Sequence, residues 1–78
     1  MSQAKSPRQN SFKIVSINGT KYLFGRLLTT FELIDYLGFN KNIIVVAYNG
    51  AVLQKDLWEQ TYLQNEDSLE ILSIAGGG

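Results

Sequence analysis

Apolar residues along this chain alternate, then recur every three to four positions, then run together, and each change of period marks a new element. "SFKIVSI" and "KYLF" are rich in β-branched and aromatic residues and flank Asn18-Gly19, the pair that best tolerates positive φ in a two-residue turn. They predict a β-hairpin. In "TTFELIDYLG" the spacing becomes helical: Leu33, Ile34 and Leu37 share one face, Thr29 and Glu32 have capping-box spacing, and Gly38 supplies a left-handed stop. "NIIVVAY" is a continuous apolar run of strand length, which predicts a strand with little solvent on either face, and Asn49-Gly50 turns it into the short strand "AVL". "KDLWEQ" is long enough for one helical turn laying Leu57 and Trp58 on the core. After the polar corner "QNED", "SLEILSI" forms the last strand.

Strand, strand, helix, strand, short strand, strand predicts an α+β domain in which one main helix packs across a mixed sheet of about five strands, as in the β-grasp architecture. The last strand is expected at the centre, because a buried sheet places its most apolar segments inside. Period-two alternation puts Val15, Ile17, Leu72 and Ile74 on both faces of their strands, so one set can stay exposed as an apolar patch. Leu72 and Ile74 are therefore candidate partner-binding residues, with buried strand packing as the alternative. Trp58 reads as core, whereas Tyr36 and Tyr48 take no assignment from the pattern. "MSQAKSPRQN" is polar, aperiodic and holds the single proline, which predicts a disordered leader over residues 1–10, a folded domain over 11–74 and a flexible tail over 75–78.

Composition narrows the chemistry. A chain of 78 residues, 45% of them hydrophobic, makes one small domain, and such a domain buries only about 60% of the surface its unfolded form exposes. Cysteine and histidine are both absent, which removes disulfides, thiolate and imidazole metal ligands, and the common near-neutral base. No metal site is expected. No apolar run approaches the roughly 20 residues that span a bilayer, so a soluble, intracellular protein is expected. Net charge is zero, yet Lys5, Arg8, Lys13, Lys21 and Arg26 precede residue 32 while Asp35, Asp56, Glu59, Glu66, Asp67 and Glu70 follow it. That asymmetry fits ordinary solvated surface. Without dense arginine and aromatic interleaving it does not suggest a nucleic-acid site.

The end of the chain, "EILSIAGGG", is harder to assign to structure. A terminal run of glycine has the most backbone freedom to lose, so Gly76, Gly77 and Gly78 are not there to build the fold. Together with "LLTTFELIDYLGF" and "VVAYNGAVLQKDLWEQTYLQNEDSLEILSIAGGG", this terminus resembles the ThiS family, the sulfur carriers of thiamin thiazole biosynthesis. Asn49, Gly50, Val52, Lys55 and Trp58 match the segment that distinguishes the family. Two departures stand out: Glu66-Asp67 replaces the family's usual Gly-Asp, and three glycines replace the usual two.

The resemblance implies a mechanism. An E1-like adenylyltransferase uses ATP and magnesium to form an acyl-adenylate at the terminal glycine, here Gly78, and sulfur then displaces AMP to leave a thiocarboxylate. That group passes to thiazole synthase, and a sulfur donor such as a cysteine desulfurase supplies it. The carrier is a cosubstrate rather than an enzyme, and binds no cofactor itself. It is expected to be a monomer when free, in the cytoplasm or, if organelle-encoded, in the stroma. Activation is needed because a terminal carboxyl, with a pKa near 3.5, is an anion and a poor electrophile at neutral pH. Ala75, Gly76, Gly77 and Gly78 would thread the partner's channel, reaching roughly 13–14 Å when extended. A small subunit of molybdopterin synthase, a ubiquitin-like protein modifier and a plain interaction domain stay open as alternatives.

Overall fold

In the computed structural model, residues 12–74 are described, and they form a five-stranded mixed sheet backed by one α-helix. Strands β1 (Lys13–Ile17) and β2 (Thr20–Phe24) form the first hairpin, with Asn18 at φ 51° and Gly19 at φ 84° in its turn. These positive angles are why Asn-Gly marks the turn: both central residues must enter the left-handed region. Helix α1 (Thr30–Leu37) follows. The Thr29 hydroxyl accepts from the Glu32 amide at 3.0 Å and the Glu32 carboxylate accepts from the Thr29 amide at 2.9 Å, completing the capping box. Gly38, at φ 83°, ends the helix. Strands β3 (Ile44–Tyr48) and β4 (Ala51–Leu53) form the second hairpin, a 3-10 helix spans Lys55–Gln60, and β5 (Ser68–Ser73) closes the order.

The strands lie in the order β2-β1-β5-β3-β4. β5 takes the centre as expected, parallel to β1 and antiparallel to β3. Its inward residues Leu69 and Ile71 join Val15 and Ile17 of β1 and Ile44 and Val46 of β3 in one buried layer. Leu33 and Ile34 of α1, with Leu28, Trp58 and Leu63, cover that layer from one side. Leu37 is partly buried against it.

Trp58 is core, 1% exposed, and its indole nitrogen donates to the Leu53 carbonyl at 3.0 Å, which removes the penalty of burying that N–H. Leu57 departs from expectation, since its side chain is 43% exposed. A 3-10 helix has three residues per turn, so neighbouring side chains diverge by about 120° and only one of an adjacent pair can point at the core. The strand "NIIVVAY" also departs in part. Ile44 and Val46 are buried on the helix side, but Val45 and Ala47 on the other face are only half-buried. The same outer face leaves Ile14, Leu23, Val52 and Leu72 exposed.

Because Leu33 and Ile34 are wholly buried under the sheet, replacing either with alanine is expected to cost roughly 2–5 kcal/mol, a large share of the stability of so small a domain. Chemical denaturation measures this, and a loss below about 1 kcal/mol for both variants would contradict the packing described.

Candidate functional site

The glycines of the C-terminal run, and Ala75 before them, lie outside the described residues. What the fold determines is the point from which they leave. β5 pairs with β3 to its last residue, Ser73 opposite Ile44, and one bond further the Ile74 amide donates to the Ile43 carbonyl at 2.7 Å. On its other side β5 outruns β1, whose regular pairing ends at Ile17 opposite Leu69. The Asn18 side chain takes over there. Its Oδ1 accepts from the Ile71 amide at 2.8 Å and its Nδ2 donates to the Ile71 carbonyl at 3.3 Å, while its own amide bonds the Leu69 carbonyl at 2.9 Å. An asparagine side chain carries one donor and one acceptor, so it can stand in for a peptide unit and extend the ladder by one step. The chain therefore emerges from a strand held on both sides through Ile71 and on one side through Ile74.

The opposite end of β5 is fixed by a buried carboxylate. Asp67, 7% exposed, accepts from the Gln64 amide at 2.7 Å, from Asn49 Nδ2 at 3.0 Å and from the Tyr48 hydroxyl. Asn49 also closes onto the strand: its Oδ1 accepts from the Ser68 amide at 2.8 Å and its amide donates to the Ser68 carbonyl at 2.7 Å. A buried carboxylate is tolerable when such bonds replace its hydration. Burial, followed by the hydrogen bond to Asp67 and its negative charge, pushes the Tyr48 hydroxyl up to about 12. Glu66, at φ 74°, makes the tight approach to this corner, and its amide donates to the Ile14 carbonyl at 2.7 Å. Glycine would take that angle without strain.

Both asparagines are legible in the sequence as turn residues, but their second role is not, because their partners lie 53 and 19 residues away. Asp67, Tyr48 and Glu66 form the corner without any local pattern announcing it. The one available signal is the Glu66-Asp67 departure, which falls on this corner. Tyr36, 76% exposed on α1, takes no part.

Leu72 and Ile74 are 57% and 58% exposed. The question of which apolar set stays outside is thereby answered: Val15 and Ile17 are buried and Leu72 and Ile74 are not. Leu72 sits opposite Val45, with Ala47 and Val52 beyond it, while Ser68, Glu70, Ser16 and Lys21 separate this patch from Ile14 and Leu23 on the same outer face. An apolar sheet face of this kind, with the exit of β5 at its edge, is suited to docking. A cleft of about 480 Å³ between Phe24, Leu28 and Phe31 is at the end where β5 begins and not where it leaves. Among the described residues no helix is long and apolar enough to cross a membrane, and no cluster of carboxylates could hold a metal ion.

Comparison with known proteins adds to this geometry. The sequence pattern of the ThiS family matches residues 13–78. The uncharacterized protein ycf40 of Trieres chinensis is 35% identical over 66 residues, covering 85% of this chain and 90% of the relative. Its namesake in Pyropia yezoensis is 34% identical over 64 residues, covering 82% and 90%. Among solved structures, the thiamine biosynthesis protein ThiS of Geobacter metallireducens superposes with a TM-score of 0.73 at 26% identity, covering 83% of this chain and 99% of that one. The β-grasp fold expected from the order of elements is thus the fold of a ThiS protein.

The raised Tyr48 value makes the Asp67 corner sensitive to alkali. The folded protein keeps the Tyr48 proton above the ordinary tyrosine value of 10.0, where the unfolded chain has lost it, so its stabilising effect is complete below that pH and is lost as pH rises toward about 12. Urea denaturation across this window is expected to show stability falling, with a shallower fall for Tyr48→Phe. Identical slopes for the two proteins would contradict the assignment.

Proposed function

We propose that this chain, which belongs to the ThiS family of ubiquitin-like sulfur carriers, carries sulfur as a thiocarboxylate on Gly78 for assembly of the thiamin thiazole ring. Small carriers of this family are not themselves enzymes, and they work with E1-like activating enzymes. In this reading an E1-like adenylyltransferase binds ATP and magnesium, the Gly78 carboxylate attacks the α-phosphate, and pyrophosphate leaves. A sulfur nucleophile, drawn from a donor such as a cysteine desulfurase, then attacks the activated carbonyl and expels AMP. Thiazole synthase takes the sulfur from the resulting thiocarboxylate.

The observation that carries the reading is the position of the glycines at the end of the central, doubly gripped strand. A fixed exit point matters because placing the carboxyl beside a bound nucleotide is an orientation problem, and an error of about 1 Å can cost on the order of a hundredfold in rate. Ala75, Gly76 and Gly77 supply reach without side chains that would obstruct a narrow channel. Leu72 and Ile74, exposed beside the exit, contact the partners. We place the protein in the cytoplasm or, if it is organelle-encoded, in the stroma, and take the free carrier to be a monomer.

ATP–pyrophosphate exchange with an E1-like adenylyltransferase tests the proposal, combined with intact mass for replacement of one terminal oxygen by sulfur when sulfide is supplied. Exchange is expected with the native chain and is expected to vanish when the Gly78 carboxyl is amidated, with the fold unchanged. Deleting Gly78 is expected to alter the rate without abolishing it. Full exchange with the amidated protein would refute a carrier role. Activity that appears only after Gly78 is removed would move the reactive residue to Gly77. Isopeptide conjugates to lysine in cell extracts, without any free thiocarboxylate, would mark a protein modifier instead.

A further inference from the structure

Among the described residues three that are not glycine adopt positive φ: Asn18, Asn49 and Glu66. The first two are asparagines, the residue type that bears this conformation best, and each uses its side chain to bond the backbone of β5. Glu66 has neither justification. Its carboxylate has no hydrogen-bond or ionic partner among the described residues, and its backbone sits at φ 74°. A residue strained in the left-handed region with no local use for its side chain points to a use outside the fold.

Its surroundings indicate what kind. Glu66 forms one wall of a cleft of about 290 Å³ on the outer sheet face, lined also by Ile14, Ser16, Lys21 and Asp67, whose carboxylate already accepts from Gln64, Asn49 and Tyr48. The Lys21 ammonium also has no partner among the described residues. The Glu66 carboxylate and the Lys21 ammonium thus flank one small cleft without pairing with each other. An occupant that satisfies both carries a cation and an anion of its own. Position also matters. Glu66, in the turn before β5, and Leu72 near the end of β5 are separated by at most roughly 20 Å of chain. An interface of ordinary size, about 800 Å² on each partner, is roughly 30 Å across. A protein that covers Leu72 and receives the tail therefore reaches this cleft at its rim.

We propose that Glu66 and Lys21 form a polar contact for the activating enzyme, which presents a basic side chain to Glu66 and an acidic one to Lys21, and that Glu66 is kept at a strained position for this contact. The inference rests on the carrier reading above. Rim charges act mainly on association and on its dependence on salt. Glu66→Gly relieves the backbone and removes the charge, whereas Glu66→Gln removes the charge and leaves the backbone as it is.

The experiment is ATP–pyrophosphate exchange with an E1-like adenylyltransferase, titrating the carrier at several ionic strengths, alongside urea denaturation of each variant. Glu66→Gly is expected to unfold at higher urea than the native chain and yet to show a KM raised about threefold to tenfold. Glu66→Gln and Lys21→Gln are expected to show a similar KM increase, with kcat nearly unchanged and the difference from the native chain shrinking as salt is added. Native KM and native salt dependence for both Glu66 variants would overturn the proposal while leaving the carrier reading intact. Absence of exchange with the native chain would overturn the carrier reading, and this inference with it.

Discussion

Nearly every feature of this small domain follows from the need to hold one strand, β5, at the centre of a mixed sheet. It carries Leu69 and Ile71 into the core and pairs parallel with β1 on one side and antiparallel with β3 on the other. The parallel pairing with β1 covers just Ser16 with Ser68 and Ile17 with Leu69, so β1 alone could not secure the outgoing half of β5. Asn18 closes the gap with its side chain. One hairpin turn thereby reverses β1 into β2 and also lengthens the grip on the strand that leads to the glycines.

The incoming half is secured differently. A buried carboxylate, Asp67, gathers donors from Gln64, Tyr48 and Asn49, tying together the corner, the end of β3 and the second hairpin turn. The two Asn-Gly turns thus serve the same strand from its two flanks. A domain with no disulfide and a modest core gains order from such bonds because they join segments far apart in sequence. The same economy leaves apolar side chains on the outer face: among the described residues one helix and one 3-10 turn cover the inner layer, and Ile14, Leu23, Val52 and Leu72 stay exposed.

Much of this was legible in the sequence because it is written in local rules. Asn18-Gly19 and Asn49-Gly50 mark turns through positive φ, Thr29 and Glu32 mark the helix start through mutual hydrogen bonding, and Gly38 marks its end. The central place of β5 followed from its apolar content. What escaped depends on contacts that local pattern does not encode: the asparagine side chains reaching β5, the carboxylate of Asp67 under the Tyr48 hydroxyl, and the backbone angle of Glu66. Leu57 failed for a geometric reason, since a 3-10 turn cannot direct Leu57 and Trp58 to the same side. The strand 42–48 was expected to be shielded on both faces because continuous apolar runs usually belong to buried strands, but here one face of such a run, with Val45 and Ala47, is only half-buried.

Family membership and geometry meet at the exit of the central strand, where the glycines begin. Under the function proposed above, in which the terminal carboxyl is delivered to another protein's nucleotide, the fold's task is to hold the base of the tail as firmly as the core. Native-state hydrogen exchange of individual amides tests this most directly. The account predicts that the Ile71 amide, held by Asn18, exchanges only through the global unfolding that exposes Val46 and Leu69. Exchange of Ile71 through a local opening far below the global unfolding free energy, with Val46 and Leu69 still protected, would contradict it.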